Sequence, residues 1–112
     1  MAEFHYTVEA TFTDPAVAEE WVAWLRDGHI ADVMRGGALD ARVVRLDGAE
    51  LVFQVHYRFA SRESFAHYER AFAPALRAEG LARFPTSRGV GYRRSVGDIR
   101  LQIPVPGARD DA

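Results

Sequence analysis

The chain contains neither cysteine nor lysine among its 112 residues. Without cysteine there is no disulfide framework, no thiolate nucleophile and no cysteine-based zinc or iron-sulfur site. Without lysine there is no Schiff-base chemistry and no attachment point for pyridoxal phosphate. No apolar run approaches the roughly 18 residues that a bilayer span needs, and the start of the chain lacks the basic and apolar stretches of a secretory signal. These absences point to a soluble cytoplasmic protein with no membrane partner. Also missing are the glycine-rich phosphate loops, the G-x-S-x-G elbow and the H-E-x-x-H helix, so nucleotide cofactors, serine-hydrolase chemistry and a metalloprotease site lose their usual support. No cofactor is expected.

What remains is ordinary globular composition, 48% hydrophobic and 27% charged, with a formal net charge of -2. That charge gives no general attraction to nucleic acid. The length suits one domain, expected over residues 1–106, followed by a short charged tail, 107–112, expected to be disordered.

Hydrophobic periodicity orders the chain. Phe4, Tyr6, Val8, Ala10 and Phe12 alternate with His5, Thr7, Glu9 and Thr11, a strand with one apolar face. Asp14 followed by Pro15 reads as an N-cap and first helical position. The helix carries Ala18, Trp21, Val22, Leu25 and His29 on one stripe, is interrupted at Gly28, and continues to Arg35 before Gly36 and Gly37 stop it. A second strand over 39–46 leads through Asp47 and Gly48, a tight-hairpin signal, into a third strand. There Leu51, Phe53, Val55, Tyr57 and Phe59 oppose Val52, Gln54, His56 and Arg58.

Ser61 caps a helix whose stripe is Phe65, Tyr68, Phe72 and Leu76. Pro74 should kink or split it and Gly80 should end it. Residues 88–96 form a last strand, with Val90, Tyr92, Arg94 and Val96 in one row and Gly91, Arg93 and Ser95 in the other. Beyond it Ile99, Leu101 and Ile103 suggest an extended arm that a partner subunit could receive. The order is β-α-β-β-α-β. The expected fold is therefore α+β and ferredoxin-like, a four-stranded antiparallel sheet with helices on one face.

The segment Ala73 to Phe84, with Ala73, Pro74, Leu76, Arg77, Ala78, Gly80, Leu81, Arg83 and Phe84, resembles an uncharacterised bacterial family known only as a domain of unknown function. Trp21 to Arg26 and the strand 88–96 add to this likeness, which covers about residues 4 to 96. That family is similar to the dimeric α/β-barrel superfamily. The resemblance implies a ferredoxin-like protomer whose sheet pairs face to face with a second copy, a homodimer. It implies no established activity. A histidine that often precedes the Ala-Pro pair in that family is Phe72 here.

Two groups of residues could carry chemistry. The sheet face away from the helices should gather Thr7, Glu9, Gln54, His56, Arg58 and Arg93, with His56 as a general base near neutral pH and Arg58 or Arg93 holding an anion. The plainer reading is a hydrated, salt-bridged surface in which Glu9 pairs with an arginine. His29, at the helix interruption and one turn before Asp32, could be half of a proton relay, or simply a ring packed at a helix end. Two such residues are too few for a metal site, and none is expected. A third option, a helix-sheet pocket like those of cofactor-free oxygenases of the superfamily, would be lined by Trp21, Trp24, Phe53, Tyr57, Phe65 and Tyr68. Core packing is the commoner use of aromatics at such spacing.

The same strand-helix order serves RNA-recognition domains, but the third strand lacks their Arg/Lys-Gly-aromatic start, and its aromatics lie in the core row. The sequence thus predicts a protein that binds a small organic ligand. The alternative is a cofactor-independent monooxygenase- or isomerase-like enzyme with His29 or His56 as base.

Overall fold

A computed structural model describes residues 2–104. The proposed tail, 107–112, lies outside them. Four strands, β1 (Phe4–Phe12), β2 (Ala38–Arg45), β3 (Leu51–Phe59) and β4 (Val90–Asp98), form one antiparallel sheet in the order β2-β3-β1-β4. Helices α1 (Pro15–Trp24), α2 (Ile30–Arg35), α3 (Arg62–Ala71) and α4 (Ala73–Arg83) cover one face of it. The expected ferredoxin-like arrangement is the observed one.

The register explains why one face is greasy. β1 and β3 pair with Tyr6 opposite Tyr57 and Ala10 opposite Phe53, so the apolar rows of both strands fall on the same side. Phe4, Tyr6, Phe12, Phe53, Tyr57 and Phe59 are all buried there against Trp21, Leu25, Val33 and Tyr68 of the helical layer. Aromatic edges meet faces in that layer: Phe59 and Phe65 stand at 81° with centroids 5.2 Å apart, and Phe12 and Phe53 at 85° and 5.6 Å. Such contacts add of order 0.5–1.5 kcal/mol to simple burial.

Helix ends follow the local chemistry. Asp14 accepts a hydrogen bond from the Ala16 N–H at 2.9 Å, with Pro15 in the first turn where no donor is needed. Ser61 accepts from Ser64 N–H at 3.0 Å. Between α1 and α2 the helix is interrupted at Gly28 as expected, since its backbone (φ 167°, ψ -32°) is not helical, and the kink lies within one wide π-type turn, Leu25–His29. Pro74 has its expected effect, since Phe72 (φ -121°) leaves helical geometry and divides α3 from α4. At Gly36 a Cβ would come within 2.7 Å of the Tyr68 ring, so only glycine lets the end of α2 approach α3 so closely.

Three expectations need correction. Gly80 does not end its helix, because α4 runs on to Arg83. Its missing side chain instead admits Trp24, whose indole would lie 3.2 Å from a Cβ at that position. Asp47 and Gly48 do not form a two-residue hairpin. The last ladder bond runs from Leu46 N–H to Val52 C=O, so the turn is a longer loop with only Gly48 at positive φ. Arg88 belongs to a 3-10 turn, and β4 starts after Gly89 (φ 80°). The segment expected as an arm beyond β4 is unpaired after its first residue. Ile99 N–H donates to Glu3 C=O at 2.8 Å, and the chain then leaves the sheet with Leu101 and Ile103 78% and 76% exposed.

Among the described residues no helix is long and apolar enough to cross a membrane. Nor do three His, Asp or Glu side chains gather there as a group that could hold a metal.

Candidate functional site

The sheet separates the candidate residues into two groups. His29 lies on the helix side. His56, Glu9, Gln54, Arg58 and Arg93 lie on the bare side. The two histidines proposed as bases therefore do not share a site.

On the helix side a narrow cleft of about 60 Å³ opens between the sheet and the layer formed by α1, the π turn and α4. Tyr6, Val8, Val55 and Tyr57 form its floor, and Trp21, Trp24, Leu76 and Leu81 its walls. Of the six aromatics expected to line a helix-sheet pocket, Trp21, Trp24, Tyr57 and Tyr68 do so, whereas Phe53 and Phe65 pack elsewhere in the core. Besides the tyrosine hydroxyls, three polar side chains break this apolar lining: His29, Arg77 and Arg94.

His29 is carried into the cleft by the wide turn. Its ring stacks on Trp24 with centroids 4.0 Å apart and planes at 22°. Burial holds its pKa down to about 4, against the opposing attraction of Asp32. The ring is therefore neutral across the physiological range and able to accept a proton. Arg77 reaches in from α4 and hydrogen-bonds to Tyr6 Oη at 3.3 Å and to the carboxylate of Glu69. Burial works against its charge, but these two hydrogen bonds raise its pKa overall. Burial also raises Tyr57 and Tyr68 well above the ordinary phenol value, so both hydroxyls stay protonated donors.

Two buried side-chain atoms of the described residues have no hydrogen-bond partner, His29 Nδ1 and Arg77 Nε. Both residues line this same cleft. Unpaired buried polar atoms are uncommon, because each forfeits its solvation for nothing. A pair of them on one cavity marks a place where a polar group from outside would be welcome.

Arg77 and Arg94 were not among the site residues expected from sequence. Arg94 had a readable signal, a charge in the strand row otherwise filled by Val90 and Tyr92 on the helix side. Arg77 adjoins Leu76 of the buried stripe, and its inward turn depends on Glu69 and Tyr6, which no linear pattern shows.

The bare face does bring its expected residues together. Gln54 donates to Glu9 at 2.9 Å, Arg93 lies 3.4 Å from the other Glu9 oxygen, and His56 contacts Gln54, Thr7 and His5. Arg58 is bound by Asp40 at 2.7 Å and by Glu3 at 2.8 Å, and the hydrogen bonds to Asp40 lead in raising its pKa. Both arginines expected to hold an anion thus already face carboxylates.

Residues 4–96 match the family described as "Domain of unknown function (DUF4286)". The chain belongs to this family. No curated protein matches this DUF4286 chain. Among solved structures it is similar to a dimeric ferredoxin-like protein from an uncultured marine organism, at 16% identity and TM-score 0.69, over 92% of this chain and 100% of that one. It is also similar to a monooxygenase from Streptomyces coelicolor in complex with the ligand nanaomycin D, at 16% identity and TM-score 0.70, over 93% of each chain. A third is a cofactor-independent oxygenase from Streptomyces nogalater, at 14% identity and TM-score 0.67, over 94% of this chain and 100% of that one. At these identities the likeness is one of fold.

Proposed function

We propose that this DUF4286 protein binds a small, planar organic molecule between its helices and its sheet. The single observation that carries this reading is that the two residues with an unpartnered buried atom, His29 (Nδ1) and Arg77 (Nε), both line one aromatic-walled cleft. Arg77 Nε can only donate, so it calls for an oxygen acceptor on the ligand, such as a carboxylate or a phenolic or carbonyl oxygen. Neutral His29 would accept from a hydroxyl. Trp24 and Tyr68 offer ring faces to a flat molecule.

The cleft as it stands has room for only a few waters, whereas sites for drug-sized ligands run to roughly 300–1,000 Å³. Binding therefore requires widening. Trp24 and His29 stand between this cleft and an open cleft of about 540 Å³ on the outer side of the π turn, and a turn of the Trp24 ring away from His29 would join the two spaces.

A thermal-shift screen of the whole chain against small phenols and aromatic carboxylates tests this. A ligand at 100 times its Kd should stabilise the fold by about 2.7 kcal/mol, several degrees in Tm for a chain of this size. Absence of any shift across such a panel would overturn the reading.

A second reading is favoured by the place of His29 beside Arg77 in the cleft, since an oxyanion formed between them would offset the burial that weakens His29 as a base. A base that is neutral, buried and within a water-poor cleft can take a proton from a bound phenol or activated C–H group, and Arg77 can steady the resulting oxyanion. This is the cofactor-independent enzyme, and the oxygenase names of the two Streptomyces neighbours support it by fold likeness alone. Turnover of a screened ligand that vanishes in His29→Phe, with binding retained, would favour it.

We also propose that two copies pair, in line with the marine neighbour described as dimeric, and that they do so through the bare sheet face, which no helix covers. Thr7, at the centre of that face and only 9% exposed, is the point to test. Thr7→Arg should yield a monomer in light scattering, and an unchanged dimer would place the pairing elsewhere.

A further inference from the structure

The bare face is polar, yet most of its polar groups already satisfy one another, and the direction of each hydrogen bond can be worked out. The Glu9 carboxylate only accepts, so its 2.9 Å contact must come from the Gln54 amide nitrogen, which turns the amide oxygen toward His56. That oxygen also only accepts. His56 Nε2, 3.0 Å away, therefore carries a proton, and in the neutral ring Nδ1 is left as an acceptor. Two groups approach that acceptor, His5 Nε2 at 3.2 Å and Thr7 Oγ1 at 3.3 Å. The His5 and His56 rings lie nearly parallel, 9° apart with centroids at 5.2 Å. A chain of one polarity thus runs from His5 through His56 and Gln54 to Glu9, where it meets Arg93 donating from the other side, and the whole crosses three strands.

Such a face can be covered by another surface without stranding its donors and acceptors, which removes the main cost of burying polar groups. A second proton on His56 undoes this. Nδ1 then becomes a donor, His5 or Thr7 must reverse to accept it, and the ring carries a charge that a covering surface would strip of water. Its charged surroundings offer no relief. Arg42 faces the ring from β2 and Arg58 lies on its own strand, while Gln102 and Ile99 of the segment after β4 border the same cleft without charge. The carboxylates of the face are engaged, Glu9 by Arg93 and both Glu3 and Asp40 by Arg58.

We infer that this face is a proton-sensing contact, closed over by a second copy of the chain while His56 is uncharged and opened when it takes up a proton. The inference rests on the sheet-face pairing proposed above. Burial, His5 and Arg42 already hold His56 below its ordinary value of 6.5, and a covering copy would add to the burial. A ring so held prefers its neutral form in the assembled state, so association is undiminished while the ring of the free monomer is neutral and weakens as the pH falls through that ring's own pKa, which lies below 6.5. Each dimer carries two such rings, so the effect counts twice.

Sedimentation equilibrium of the full chain at about pH 7.5 and about pH 5.5 reads this directly, with circular dichroism confirming the fold at both values. The dimer Kd should rise about tenfold or more on acidification, and by less than about twofold in the double variant His5→Gln, His56→Gln. If that variant does not fold, His5→Gln alone should reduce the rise. A dimer of equal affinity at both pH values would overturn the proton sensing while leaving the pairing intact. So would a variant as acid-sensitive as the parent. A monomer at both pH values, or a dimer that survives Thr7→Arg, would overturn the pairing and the inference with it.

Discussion

The two faces of one sheet are built from the same two central strands, one residue out of phase, and they obey different physics. On the helix side, Phe4, Tyr6, Tyr57 and Phe59 are held by close packing, and a polar atom there is an exception. On the bare side, Glu9, Gln54, His56 and Arg58 are held by one another, and polar contact is the rule. Stability should therefore reside on the first face. An unanswered polar group is informative on the first face, because water cannot answer it, and is commonplace on the second.

The sharpest way to break this comparison is to truncate one residue on each side of β3. Phe59→Ala leaves a void in the aromatic layer and should cost about 3–5 kcal/mol in urea unfolding, whereas Gln54→Ala should cost about 1 kcal/mol. Equal losses would mean that the bare face contributes to folding as much as the core. A smaller effect is expected in ligand binding. Arg77→Met keeps the side-chain bulk but removes the charged donor, so affinity for an anionic or phenolic ligand should fall about tenfold to a hundredfold by calorimetry.

Smaller again is a pH effect on stability. Because His29 binds its proton near pH 4 when folded and near 6.5 when unfolded, the unfolded chain takes up more protons between those values. Stability should be full above pH 6.5 and decline toward pH 4 by about 2 kcal/mol, allowing for screening of the partly exposed ring. His29→Leu should flatten that decline in denaturation curves taken across the range. Smallest of all is Arg93→Ala. Its guanidinium is 79% exposed, and losing its pairing with Glu9 should change stability by no more than about 0.5 kcal/mol.

Much of this two-faced design could be read from the chain alone. Strict alternation in β1 and β3 told which residues share a side, and Asp14, Pro15, Ser61 and Pro74 marked where helices begin or divide. Local chemistry decides those features. Gly80 misled because glycine serves both as a helix stop and as a seat for a neighbouring ring, and only the position of Trp24 tells the two apart. The long loop at Asp47 was missed because its residues also suit a two-residue turn, and the ladder register decides between them. His29 was singled out, yet its setting was not legible. The π turn, the stack on Trp24 and the inward turn of Arg77 all arise from packing between distant segments.

The central claim is that a small planar molecule binds against His29 and Arg77 beneath the helices. Its most direct test is a two-dimensional amide and imidazole NMR titration of the full chain with a hydroxybenzoate or a similar small phenol. The account predicts saturable shifts concentrated in residues 21–33, in residues 76–81 and on the His29 ring, with His5 and His56 unmoved. Shifts confined to His5, His56 and the bare face, or none at concentrations that saturate a thermal-shift response, would contradict it.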